Sequence, residues 1–370
     1  GGWEKDIDDE TNERYNNMTG ELKHKILDSI TQNEDEEYCF KLCDGKCPML
    51  DDNGLCEIHK NLGEDYLGVV CKQFPRYSEY YGTIKESGIG LACEEAARII
   101  LSENRPFSME TAACDEEYEP SSEYDSSFAL QIFAAREAVF KILAKESLSI
   151  HEKLIVILDM GSKIQQCINT DEYDNIKSVV NDYLKEGIAH TLDETRNLSD
   201  SGQFEDISLQ QGIRQILYPY EEMEVLNPEW EVILKDIIDS LFEQMSDEEY
   251  NILNEEFGTY MVSRAYEYRQ LLEYLVFRYF AKSIYDYDFL GKCQMLVTNF
   301  FVIRQMDIIR WLDNHREYSF KDRMDVVHIF SRQVEYSEDN IENLYEDFIF
   351  DDIFKTDSLI AILWIDSENI

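Results

Sequence analysis

Between Tyr38 and Glu95 the chain carries six of its nine cysteines among Gly, Pro and Asp, with no hydrophobic period. Such a stretch buries too little apolar surface to hold itself together, so it needs a crosslink or a metal. The opening residues, Gly1-Gly2-Trp3-Glu4-Lys5, lack the basic and apolar parts of a secretory signal. A cytoplasmic location is expected, and with it reduced thiols, so the clustered cysteines read as ligands or redox groups. The spacing that matters is Cys47-x8-Cys56-x14-Cys71-x21-Cys93. Pro48 and Gly54 supply tight backbone geometry beside two of these thiols, and the four cysteines are the candidate ligands of a metal ion or iron–sulfur cluster.

Other readings of the same region are narrower. Cys39-x3-Cys43-x3-Cys47 misses by one residue the CxxxCxxC spacing of radical enzymes that bind a cluster. His59, three positions after Cys56, would complete a Cys3His zinc site. A set of buried structural cysteines is the bland alternative, and it is the expectation for the isolated Cys114, Cys167 and Cys293. The chain has no P-loop, no GxSxG and no HExxH, and Gly88-Ile89-Gly90 is only a fragment of a dinucleotide fingerprint.

Charge narrows the partners. Seventy-seven acidic residues against 34 basic ones give −43 at pH 7. A field of that sign repels phosphate backbones and anionic membrane surfaces, so neither nucleic acid nor membrane is an expected partner, while a lysine-bearing protein is attracted. The longest uncharged apolar stretch, Cys293 to Ile303, falls well short of the roughly 20 residues that span a bilayer.

Periodicity predicts a mainly α fold: a small cysteine-rich metal-binding segment with a possible β-hairpin, followed by a large helical body. The expected organisation is an N-terminal helix and cysteine region over 1–113, an acidic linker over 114–127 and a helical body over 128–370. Helices are expected at 8–32, 94–102, 128–146, 149–168, 172–188, 229–245 and 247–256. A central pair follows at 259–285 and 288–314. Tyr80 to Leu91 reads as the hairpin, His190 to Ile207 as a polar loop, and Tyr336 to Ile370 as short docked helices.

The run Cys47-Pro48-Met49-Leu50-Asp51-Asp52-Asn53-Gly54-Leu55-Cys56-Glu57-Ile58-His59, with Cys71-Lys72-Gln73-Phe74-Pro75-Arg76, resembles the flagellin lysine-N-methylase family. Leu91-Ala92-Cys93-Glu94-Glu95-Ala96-Ala97-Arg98 looks like that family's SCPEAAR segment. Glu273-Tyr274-Leu275-Val276 looks like its NYLV core, and Ser331-Arg332-Gln333-Val334-Glu335-Tyr336-Ser337-Glu338-Asp339-Asn340 like its SREVEHSDEN segment. The chain departs from the pattern at two places, with Tyr336 for the family His and Glu273 for the family Asn. Family members also carry a cysteine group just before a Gly-Trp, and here Gly2-Trp3 stands at the start.

The resemblance implies transfer of a methyl group from S-adenosylmethionine (SAM) to lysines of flagellin, with a cysteine-ligated 4Fe-4S cluster as cofactor. It makes Cys47, Cys56, Cys71 and Cys93 the cluster ligands and Arg76 and Arg332 candidates for the SAM carboxylate. Each arginine also has a structural alternative. Arg76 would brace the cysteine region, and Arg332 would pair with Glu335 one turn away. The competing function is a non-enzymatic protein-binding module stapled by zinc or a cluster.

Overall fold

The computed structural model describes residues 6–33, 36–43, 46–113, 125–200 and 207–368. Two compact units emerge, Gly1–Tyr77 and Ser78–Ile370. Residues 114–124, most of the expected linker, lie outside the described residues.

In the first unit, Asp8 organises the start of two helices. Its carboxylate accepts from Thr11 N at 2.9 Å, capping helix Asp9–Asn17, and from Val69 N at 3.1 Å at the head of helix Val69–Gln73. Burial would raise the Asp8 carboxyl, but these backbone donors outweigh it and hold it below the usual carboxylate range. The single helix expected over 8–32 is instead two, Asp9–Asn17 and Leu22–Asp28, because Gly20 between them takes φ +118°. Its expected tail is a strand: Ile30–Gln32 pairs antiparallel with Tyr38–Phe40, with Ile30 opposite Phe40. Ile7, Tyr15, Met18, Ile26, Phe40, Met49 and Ile58 form the core of this unit, and the Tyr15 hydroxyl donates to the Tyr66 carbonyl at 2.8 Å.

The second unit is helical apart from the expected hairpin. Strand Arg76–Tyr81, which begins at the end of the first unit, pairs with Ile84–Ile89 through a turn at Gly82, where φ is +60°. Helix Phe289–Asp313 is buried on nearly every face and forms the axis, as the apolar run predicted. Against it pack Ile150–Asn169, Leu209–Glu221, Pro228–Ile237, Ala265–Tyr279 and Phe320–Val334. Helix starts follow local chemistry: Ser149 with Glu152, Ser246 with Glu249 and Ser319 with Asp322 each form a capping box. Buried polar groups are knitted together, with Asp307 accepting from Tyr268 at 2.6 Å, from Arg323 at 2.6 Å and from Tyr318. The polar loop expected at His190 to Ile207 is a correction, because helix Ile188–Asp200 occupies most of it. Helix Leu209–Glu221, starting at the Ser208 cap, was not anticipated at all. No helix among the described residues is long and apolar enough to cross a membrane.

Candidate active site

Three of the candidate thiols belong to the first unit, where sequence-local chemistry sets their positions. Asp51 accepts from Asn53 N at 2.9 Å and Leu55 N at 3.0 Å and pairs with Lys60 at 2.9 Å. With the Leu50–Cys56 bridge, these bonds close the loop that begins at Cys47 and ends at Cys56, the residue before helix Glu57–Leu62. Cys47 and Cys56 pack on the rim of the core around Tyr15. Cys56 and Cys71 both lie close enough to act electrostatically on the Tyr15 hydroxyl, which burial and then these two thiols push up. All three are half-buried, unlike the fully enclosed Cys39. An all-sulfur donor set at the edge of one small core fits a soft metal or a cluster. Among the described residues no three His, Cys, Asp or Glu side chains are already arranged around a common point, and such sites commonly assemble only with their metal. Arg76 is exposed at the start of its strand.

Cys93 belongs to the second unit, at the head of helix Glu94–Leu101, and the residues before it lead into a polar cluster. Leu91 N donates to the Tyr274 hydroxyl at 3.4 Å, and the Ala92 backbone lies close enough to act on the His328 imidazole. The Tyr274 hydroxyl in turn donates to Glu335 Oε2 at 2.8 Å. The same oxygen receives Tyr279 at 3.1 Å and Arg278 Nε at 3.2 Å, while Arg278 also donates to the Tyr274 hydroxyl at 2.9 Å. The Arg278 guanidinium lies over the rings of Tyr279 and Tyr336, 5.5 Å from each centroid. Cys93 lies close enough to act electrostatically on Tyr336.

Helix Phe320–Val334 brings its residues to this cluster by simple periodicity. His328, Ser331, Arg332 and Glu335 stand at i, i+3, i+4 and i+7, one face of the helix and its C-cap. Burial, reinforced by repulsion from Arg332, lowers the pKa of His328, so its imidazole is neutral at pH 7. Burial also lowers the pKa of Arg332, opposed by the field of Glu229. Burial raises Tyr336, partly countered by Arg278.

Three of the segments singled out in the sequence, around Cys93, Tyr274 and Arg332, are thus brought together through Leu91, Tyr274 and Glu335. Glu335, considered from sequence only as a mate for Arg332, takes Arg278 as a cation. Glu273 turns elsewhere: Arg269 reaches its two oxygens at 2.7 and 2.8 Å and also donates to Asn104 Oδ1 at 2.9 Å and to the Arg105 carbonyl at 3.0 Å. Burial raises the Glu273 carboxyl. Sequence reasoning passed over His328, Arg278 and Tyr279. His328 was findable, since a helical projection places it on the face of Ser331 and Arg332. The isolated Cys167 and Cys293 are core residues, and burial pushes the Cys293 thiol well above its usual range.

Fold and site together define a mainly helical protein with a thiol-bearing N-terminal unit and a buried polar cluster at the head of a cysteine-capped helix. Residues 136–362 match the family model described as the FliB lysine N-methylase C-terminal domain, and the chain belongs to that family. The flagellar biosynthetic protein FliU of Salmonella muenchen is 37% identical over 59 residues, 16% of this chain and 35% of that protein. The lysine-N-methylases of Salmonella typhimurium and Salmonella choleraesuis are also 37% identical over 59 residues, which is 15% of each of those proteins. No solved structure matches the chain.

Proposed function

We propose that this protein methylates lysine side chains of flagellin, using SAM and a 4Fe-4S cluster held by Cys47, Cys56, Cys71 and Cys93. The observation that supports it most is the meeting of the Leu91–Cys93, Tyr274 and Ser331–Glu335 segments on one buried polar cluster, the latter two segments lying within the family-matched residues 136–362. Family membership adds the lysine-directed chemistry.

When bound, SAM supplies the methyl group. The chain's own residues have three tasks. Its acidic surface draws a cationic lysine from solution. A desolvated cluster then favours the neutral amine, the only form with a lone pair to attack carbon. Arg332, and Arg76 as the second candidate, offer a forked guanidinium suited to a carboxylate such as that of SAM.

Purification without oxygen, followed by visible absorption, metal and sulfide analysis and titration with S-adenosylhomocysteine, tests the proposal. A brown protein containing iron and sulfide that binds the nucleoside supports it. Stoichiometric zinc with no nucleoside binding would overturn it in favour of a stapled protein-binding module.

A further inference from the structure

Ile349 and Phe350, at the end of helix Glu338–Phe350, are 73% and 78% exposed, the most exposed of the large apolar side chains among the described residues. Single exposed apolar residues are ordinary, but two in succession beside a groove are not. The groove, of about 540 Å³, is lined by Arg214, Gln215, Tyr218, Asp351, Asp352 and Ile353, and Tyr218 is itself exposed.

Carboxylates ring this surface. Glu346 stands one turn before both apolar residues, and Asp347 one turn before Phe350. Burial pushes the Asp347 carboxyl up, and repulsion from Asp351, Glu346 and Glu222 pushes it further, so these four acids share one field. The cations at hand are already spent, Arg214 on Glu221 and Lys355 on Asp352. Among the described residues no lysine or arginine forms an ion pair with Glu222, Glu346, Asp347 or Asp351.

This chemistry selects the occupant. Nucleic acid and anionic lipid headgroups are repelled by the ring, and a second copy would set four carboxylates against four. A cationic segment with apolar side chains answers both halves of the surface, since a lysine stem covers apolar area while its ammonium meets a carboxylate.

We infer that the Ile349–Phe350 surface docks a cationic amphipathic segment of the protein substrate, its apolar side chains on Ile349, Phe350 and Tyr218 and its lysines on the surrounding acids. The inference rests on the function proposed above for the identity of that substrate. Helix Glu338–Phe350 begins three residues after Glu335 of the candidate active site. At 1.5 Å per residue it carries the surface about 18 Å away. An extended chain covers that distance in about six residues, which sets the least separation between the docked segment and the lysine that reaches the cluster.

The test compares full-length wild type with two variants, Ile349→Ser/Phe350→Ser and Glu346→Gln/Asp351→Asn. The probes are an amphipathic leucine–lysine peptide, its leucine–glutamate counterpart and purified flagellin, titrated calorimetrically at low and high salt. The apolar side chains of the first variant are exposed, so it is expected to melt as wild type does. Its affinity for the leucine–lysine peptide and for flagellin is expected to fall at least about tenfold, as loss of one large apolar contact predicts. The second variant is expected to bind more weakly at low salt and to lose part of the salt dependence. Unchanged affinity of the first variant for the leucine–lysine peptide overturns the inference, as does equal wild-type binding of the leucine–glutamate peptide. Wild-type self-association in sedimentation, or flotation with phosphatidylcholine vesicles, also overturns it if the first variant abolishes that behaviour. Peptide binding that depends on Ile349 and Phe350, with flagellin neither bound nor methylated, counts against the proposed reaction and leaves the surface standing. A first variant that methylates flagellin with wild-type KM removes the surface and leaves the reaction standing.

Discussion

The Tyr274 hydroxyl donates to Glu335 Oε2 at 2.8 Å and so ties helix Ala265–Tyr279 to the end of helix Phe320–Val334. It also accepts from Leu91 N and from Arg278, which makes it the joint between three segments far apart in sequence. Replacing Tyr274 by Phe leaves a buried carboxylate short of one donor and is expected to cost about 1.5–3 kcal/mol, read by denaturant unfolding. Tyr279→Phe, which removes a single 3.1 Å bond, should cost less. Equal costs for the two would deny Tyr274 its role as a joint.

The axis of the helical body depends on a close approach at Gly161. A Cβ built there would lie 2.5 Å from Cys293 Sγ and 3.2 Å from its Cβ. Gly161→Ala is therefore expected to destabilise by about 1–3 kcal/mol through overpacking. Cys293→Ala in the same chain should recover much of that loss, giving a coupling a double-mutant cycle can measure. Simple additivity would place the strain elsewhere.

Acid sensitivity should come in part from Asp366. Burial alone would raise its carboxyl, but Arg304, His151 at 2.6 Å and Asn254 outweigh it and hold the pKa at about 2. A folded pKa below the unfolded value of about 3.9 gives stability that is fully present above the latter. That stability is lost as pH falls through about 2. Urea unfolding followed between about pH 5 and 2 is expected to show this decline in wild type and a weaker one in Asp366→Asn. The variant itself should be about 3–5 kcal/mol less stable near neutrality, since it leaves the buried Arg304 without its anion.

Metal content separates the two classes of cysteine. Single Cys→Ser changes at Cys47, Cys56, Cys71 or Cys93 are expected to lower bound metal, whereas changes at the enclosed Cys167 and Cys293 are not. Six variants with equal metal content would contradict the ligand assignment.

What could be read from the sequence depended on how each element buries itself. Helix Phe289–Asp313 was visible because its apolar residues are dense and its starting cap, Asp288, is a strong one. Helix Ile188–Asp200 was hidden because part of its buried face is threonine. Thr191 bonds Asp159 at 2.8 Å and Thr195 accepts from Trp364 at 3.1 Å, satisfying by hydrogen bonds what hydrophobic periodicity looks for in apolar side chains. The break at Gly20 was missed because the surrounding residues are polar enough to read as one continuous surface helix. At the candidate site, the stripe through His328, Ser331, Arg332 and Glu335 was local and therefore legible. Its partners Leu91, Tyr274 and Arg278 come from other elements, and no local pattern announces contacts of that range.

The proposed reaction is tested most directly by following the methyl carbon itself. Anaerobically purified protein is incubated with flagellin and SAM labelled at the methyl group, and the flagellin is digested and sequenced by mass spectrometry. The expected result is label on lysine side chains, absent when the protein is omitted. Flagellin lysines that stay unlabelled, although the protein contains iron and sulfide and binds the nucleoside, would contradict lysine methylation of flagellin as its function.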